Sequence, residues 1–292
     1  MLEWIAANAT LLNFMLINVA LGLSIYLTLA TGLLSLANAG FMAIGAYTAA
    51  ILASQAGLPL IVAFVVALVV AGLVAFPFGL AVLRLRDVYL AIATLGFVQI
   101  VNVLLLNGDK MLRAITGNQQ VTVFNGAEGI TLPYVAPRLV FGLPETTWPL
   151  LLYVIGLAAL LAVLRRSHEG RVLAAVRLDE SAASTLGIDV PRYKLLAFTL
   201  GAMMAAGAGV LSTPIVRVID PRNYGFGRAV DILAYAVLGG VAHWSGPIVG
   251  AALLTALPEW LRFLQERRDV VNGLLIMVSI ICVGFPQGQD GL

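Results

Sequence analysis

Across its first 83 residues the chain carries one charged group, Glu3, and its first basic residue is Arg84. A water-facing surface cannot be built from such a stretch. It is long enough for about three membrane-spanning helices of roughly 20 apolar residues each. The rest of the chain continues in kind, with 61% hydrophobic and 11% charged residues, where soluble domains average roughly 25% charged. Mean hydropathy is +0.98, so most side chains face lipid or one another. The fold class that follows is an all-α, polytopic transmembrane helical bundle.

Apolar runs lie at 11–36, 37–55, 59–83, 88–106, 148–164, 195–216, 229–242, 247–264 and 270–285. Those at 37–55 and 229–242 are the weakest, one rich in small residues and the other short. Either reads as a full span or as a broken or re-entrant helix, which must be buried in protein or line a cavity. About 8–9 membrane segments are therefore expected, in a single transmembrane domain over 1–292. Residues 1–10 have no basic group ahead of the apolar run, so no secretory signal is expected there. Cys282 is the one cysteine, which rules out an intramolecular disulfide, and it reads as a small packing residue.

Orientation is read from basic residues in short loops. Six of them (Arg165, Arg166, Arg171, Arg177, Arg192 and Lys194) fall in 165–194, and Arg84 and Arg86 fall in the 84–87 link. Arg262, Arg267 and Arg268 mark a third basic link at 262–268. The loop 107–147 is longer but holds three: Lys110, Arg113 and Arg138. The loop 165–194 is thus expected in the cytoplasm and 107–147 outside. The N-terminus is outside if 37–55 spans and inside if it is re-entrant. The 107–147 loop reads as an irregular connector or as a small cap over the outer mouth.

Several kinds of chemistry are absent. A phosphate-cradling loop ends in Gly-Lys-Ser/Thr, but the two lysines, Lys110 and Lys194, are followed by Met111 and Leu195. With two histidines, His168 and His243, and one cysteine, no zinc-type cluster can be assembled. His168-Glu169 starts a metalloprotease motif that fails at Val172, and no G-x-S-x-G elbow occurs. The chain is expected to be no enzyme and to hold neither metal nor cofactor. Its net charge of +2 leaves no footprint for nucleic acid.

Charge and amide groups inside apolar runs are costly and mark function by default. Asp231 is either a functional carboxylate or an interfacial partner of Arg228, three residues back. Glu259 has the same two readings, with Arg262 as partner. Gln99 and Asn102 share one helix face, for helix–helix hydrogen bonding or for lining a polar path. In the basic loop, 171–186 is a run of good helix formers stopped by Gly187 and Pro191. On one such helix Val172, Leu173, Val176, Ala183 and Leu186 share a face, and Arg177, Ser181 and Ser184 share another. A short amphipathic cytoplasmic helix suits a groove on a partner protein or the bilayer surface.

Four blocks together carry a resemblance. Glu180, Ala182, Ala183, Gly187 and Ile188 match the coupling-loop signature of ATP-binding-cassette importer permeases. Ser35, Leu36, Asn38, Gly40, Phe41, Ile44, Gly45, Ala46 and Tyr47 form the second block. Arg84, Arg86, Tyr89, Leu90, Ala91, Ile92, Thr94, Leu95 and Phe97 form the third, and Leu238, Gly239, Gly240, Gly246, Pro247, Gly250 and Ala251 the fourth. In this order, over about 11–285, the chain resembles permease subunits of branched-chain amino acid importers, of the LivM type. It departs from the family at Asn38, where histidine is frequent, at Ala242 and His243, where Gly-Ser is common, and at Asn118, where glycine is usual.

The resemblance implies a multi-pass subunit of an ATP-driven importer in the bacterial inner membrane. Its partners would be a homologous second permease, two ATPase subunits that bind ATP and magnesium, and a periplasmic substrate-binding protein. Coupling to the ATPases falls on Arg177, Asp179, Glu180, Ala182, Ala183 and Gly187. Candidates for the translocation path are Asn38, Gly40, Tyr47, Tyr89, Thr94, Gln99, Asp231, Gly239 and Gly240. The implied cargo is leucine, isoleucine or valine. The alternatives are urea or short amides, taken by permeases of similar sequence, and an ion-coupled carrier using Asp231 or Glu259.

Overall fold

A computed structural model describes residues 2–85, 87–117, 123–132, 139–140, 143–260, 273 and 277. Ten α-helices lie among them. These are α1 (Leu2–Leu29), α2 (Asn38–Gln55), α3 (Leu60–Val82), α4 (Asp87–Thr116), α5 (Thr147–Arg166), α6 (His168–Leu178), α7 (Glu180–Thr185), α8 (Val190–Val216), α9 (Phe226–Gly239) and α10 (Gly246–Trp260). Five of them, α1, α3, α4, α5 and α8, are long and apolar enough to cross a membrane. The apolar run expected at 270–285, Cys282, the 262–268 link and the Glu259–Arg262 pairing lie outside the described residues.

α1 and α8 form the centre. Each has 72% of its apolar window buried, against 22% for α3 and 28% for α5, so α3 and α5 are peripheral helices that meet lipid or a neighbouring subunit. The sequence of α3 shows why. Ala63, Ala67, Ala71, Ala75 and Gly79 recur every four residues and are buried, facing α8 and α2. Ile61, Val65, Val69, Leu73 and Leu80 lie exposed on the other face. Small residues in such a row let helix backbones approach closely where no hydrophobic effect drives them together. Phe41, Phe78, Phe97 and Phe198 tie α2, α3, α4 and α8 together, with ring centroids 4.3–6.1 Å apart.

The structure refines the sequence reading at three places. The run 11–36 is helical only to Leu29; residues 30–37 are non-helical and largely buried, with Gly32 exposed. Gly32 has φ +78° there, and the Leu36 N–H donates to Thr94 Oγ1 at 3.0 Å, so internal partners replace the absent water. The run 37–55 forms an unbroken 18-residue helix, Asn38–Gln55, and not a broken one. α4 continues past Leu106 to Thr116, which puts Lys110 and Arg113 on a helix rather than in a loop.

The bundle has two ends. Arg84, Arg165, Arg166, Arg171, Arg177 and Arg192 gather at one, where α3 and α5 finish and α4 and α8 begin. α1 reaches this basic end at Gly32, beside Arg177, and starts at the other, against β3 (Leu143–Pro144). The N-terminal end of α1 therefore shares the end that carries the 107–147 segment.

The far end carries two short strand pairs. β1 (Ile130–Thr131) pairs antiparallel with β4 (Val218–Ile219), and β2 (Leu139–Val140) pairs with β3. Buried Asp109 accepts hydrogen bonds from the backbone N–H groups of Val123 and Phe124 at 2.7 and 2.8 Å. Each bond to a charged acceptor contributes roughly 1.5–3 kcal/mol. Asp109→Ala is accordingly expected to expose 123–132 to limited proteolysis, with little change in bundle melting. Unaltered protection of that segment would refute this anchoring role.

Candidate functional site

The basic end carries a compact element. Ser167 caps α6, its Oγ accepting from Gly170 N–H at 3.2 Å. A single helix over 171–186 is not what forms. Asp179 ends α6 in an extended conformation (φ −157°, ψ 110°). Its Oδ1 accepts from Ser181 and Ala182 N–H at 2.8 and 3.0 Å, so it caps α7. An aspartate followed by a helical turn favours the cap over helix continuation, because the side chain satisfies orphan N–H groups. Gly187 then closes α7 with φ +83°, and the Ile188 N–H donates to Ala183 C=O at 3.2 Å, as a left-handed C-terminal glycine allows.

Packing fixes this element to the bundle. Val172, Val176, Ala183 and Val190 form a small buried cluster. Lys194 on α8, nearly buried, forms an ion pair with Glu180 on α7. Arg177 Nη1 donates to the Val241 carbonyl at 3.1 Å, joining α6 to the α9–α10 link. The break at Asp179 turns the helix faces, and Leu186, expected to share a face with Val172 and Val176, is 79% exposed while they are buried. Leu178 is 87% exposed; with Ala182 and Gly187, also exposed, it leaves an apolar patch at the tip.

The nine path candidates occupy different settings. Asn38 is buried and donates to Ser24 Oγ at 2.8 Å, pinning α2 to α1. Gly40 packs against the ring of Phe97. Tyr47 is buried and donates to the Ile219 carbonyl at 2.9 Å. Thr94 bonds the buried turn described above. Tyr89 is 73% exposed, and Gln99 is also exposed, while Asn102 is buried and donates to the Pro221 carbonyl at 2.8 Å. The two amides on one helix face thus have different surroundings. Gly239 and Gly240 let α9 and α10 close as a hairpin: a Cβ on Gly239 would overlap the Gly246 carbonyl, and Gly240 has φ +82°.

Asp231 is the path candidate that lines a cavity of about 760 Å³. This cavity lies between α1, α8, α9 and α10, in the half of the bundle away from the basic end. Leu11, Phe14, Ile17, Met42 and Val216 supply an apolar wall, and Asn18, Ser212, Asn223, Tyr224, Arg228, Asp231 and Thr255 supply polar groups. Arg228 Nη2 donates to Asn18 Oδ1 at 2.8 Å and Nη1 to Tyr235 OH at 3.4 Å. Asn18 Nδ2 in turn donates to Thr255 Oγ1 at 2.8 Å. Burial pushes the Tyr224 phenol up to about 12, so it meets the cavity as a neutral group. In the sequence Arg228 stands out only as a partner for Asp231, and Asn18 and Thr255 do not stand out at all. Their one signal is polarity inside an apolar run, and the three lie far apart in the chain.

Residues 8–283 match the family described as branched-chain amino acid transport system / permease component. The chain is similar to the high-affinity branched-chain amino acid transport system permease protein LivM of Escherichia coli K12. The two are 34% identical over 95% of this chain and 68% of the relative. LivH of Salmonella typhimurium is 32% identical over 59% of this chain and 58% of its own length. The galactofuranose transporter permease protein YtfT of Escherichia coli K12 is 25% identical over 92% and 76%. The chain spans about two thirds of the length of the LivM relatives, 68% and 65%. No solved structure matches it.

Proposed function

The chain belongs to the branched-chain amino acid transport permease family, and from that premise we propose that it is one membrane-spanning subunit of an ATP-driven importer for leucine, isoleucine and valine. The observation that carries the reading is the 34% identity to LivM over 95% of the chain. Similarity to LivH supports a second, homologous permease beside it. The importer resides in the bacterial inner membrane. ATP and magnesium are bound by two ATPase subunits, and a periplasmic binding protein delivers cargo.

Two features of the fold support this division of labour. The basic end faces the cytoplasm under the positive-inside rule, and it presents the α6–α7 element with Leu178 and Leu186 exposed at its tip. An ATPase groove that received these side chains would move the element as a unit, because the small cluster and the Lys194–Glu180 pair hold it together. The polar-and-apolar cavity occupies the outer half, where cargo arrives. Arg177 links the docking element to the α9–α10 link, and α9 carries Asp231 into the cavity.

Reconstitution with the second permease, the ATPases and the binding protein is expected to give leucine uptake that requires ATP. In a Cys282→Ala background, an impermeant maleimide should label Glu128→Cys in intact cells and leave Ser184→Cys unlabelled. The reverse labelling pattern inverts the topology, and uptake without ATPase subunits contradicts an ATP-driven importer.

A further inference from the structure

The cavity in the outer half contains an arginine and an aspartate on one helix, beside an apolar wall. We propose that Arg228 binds the α-carboxylate and Asp231 the α-ammonium of an amino acid in transit, while Leu11, Phe14 and Ile17 of α1 receive its side chain. This rests on the importer reading above and extends it to the residues that touch cargo.

The geometry suits a zwitterion. Arg228 and Asp231 are three residues apart on α9 and lie on the same face; such neighbours have Cβ atoms about 5–6 Å apart. An α-amino acid carries both charged groups on its α-carbon, so its headgroup can bridge the two side chains. A volume of about 760 Å³ falls within the roughly 300–1,000 Å³ usual for small-molecule sites. Arg228 is held in place by Asn18, itself fixed by Thr255, and by Tyr235. The guanidinium is therefore positioned before cargo arrives. Charges within a bundle of apolar helices are expensive and tend to be retained where they act on a substrate.

A site of this kind discriminates against molecules that lack either charged group, because one of its two charges then gains no counterpart from the cargo. Such discrimination reaches about 10⁴-fold where a site is built to bond the missing group. 4-Methylpentanoate retains the carboxylate and lacks the ammonium; isopentylamine retains the ammonium and lacks the carboxylate. Neither should compete with leucine.

The test uses the assembled importer and the diazirine analogue photo-leucine, with cross-links mapped by mass spectrometry. Labelling is expected on the α1 and α9 segments that line the cavity. Excess leucine should suppress it, and neither single-charge analogue should. Arg228→Gln and Asp231→Asn should each lower this labelling and the initial rate of leucine uptake at least tenfold in complexes that still assemble. A wild-type complex that takes up leucine without labelling the cavity overturns the proposal. So do variants that keep uptake and labelling within twofold. Asp231→Asn preserves shape and decides the matter if Arg228→Gln fails to assemble. Loss of assembly in both assigns the pair to structure and likewise overturns it. A wild-type complex that takes up no branched-chain amino acid refutes the importer reading itself.

Discussion

Replacing Gly45 by leucine is expected to abolish recovery of folded protein. α2 and α8 cross where Gly45 faces Ala206 and Gly209 faces Met42 and Ala46. A Cβ on Gly45 would overlap the Ala206 carbonyl and lie 2.7 Å from Ala206 Cα. Overpacking a core costs about 1–3 kcal/mol when side chains can shift. Here the obstruction is backbone, so relief requires α2 and α8 to separate. That would open the contact on which α3 and α1 also rest. Gly156 on α5 has open space within 4 Å of the position a Cβ would take, and Gly156→Ala should be neutral or slightly stabilising, since alanine favours helix by about 1 kcal/mol. Size-exclusion recovery and melting of both variants in detergent provide the measurement. A Gly45→Leu protein that melts like the parent refutes the close-crossing account.

Glu180→Lys is expected to abolish coupled uptake, and adding Lys194→Glu to the same chain should restore it in large part. From sequence, Glu180 is a surface contact for a partner. In the fold its carboxylate pairs with Lys194, whose side chain is 8% exposed against 40% for Glu180. Removing one member of a buried pair costs about 3–5 kcal/mol, and the exposed half of this pair brings the figure toward the lower end. A second cation beside Lys194 adds repulsion and would lift α7 off α8. The swapped pair keeps the attraction with its signs exchanged. Rescue by the double variant assigns Glu180 to the internal pair. Absence of rescue, with assembly lost in both, assigns it to partner docking instead.

Several features are legible in the linear chain because their causes are local. A stretch of 83 residues with one charge leaves no means of solvating a surface, and the spans in α1 and α3 follow from that. The clustering of arginine at 84 and 165–192 marks one end of the bundle, because charge is costly at depth. Gly187 is recognisable as a helix stop and does adopt φ +83°. The Asp179 break is also written locally, as a capping residue before a helical turn, but the helix-forming residues on both sides obscure it. The turn at 30–37 is hidden for the opposite reason. It is apolar, as a span is, and its backbone is satisfied by local turns together with Thr94 on another helix.

What the chain determined by itself is its class: a lipid-embedded helical bundle of this permease family, with a short helical element at its basic end. Which side chains meet was decided by the fold. Asn18 and Arg228 are 210 residues apart in sequence and hydrogen-bonded in space. Glu180 and Lys194 became internal partners because α7 turns at Asp179 and lies against α8. Tyr89 and Gln99 came to lie exposed although they share α4 with buried Thr94 and Asn102. Apolar periodicity is weak on helices that are hydrophobic all round, so their faces are assigned by packing. In such a bundle, hydropathy marks which segments enter the membrane, and close backbone contact at small residues decides which neighbours they find there.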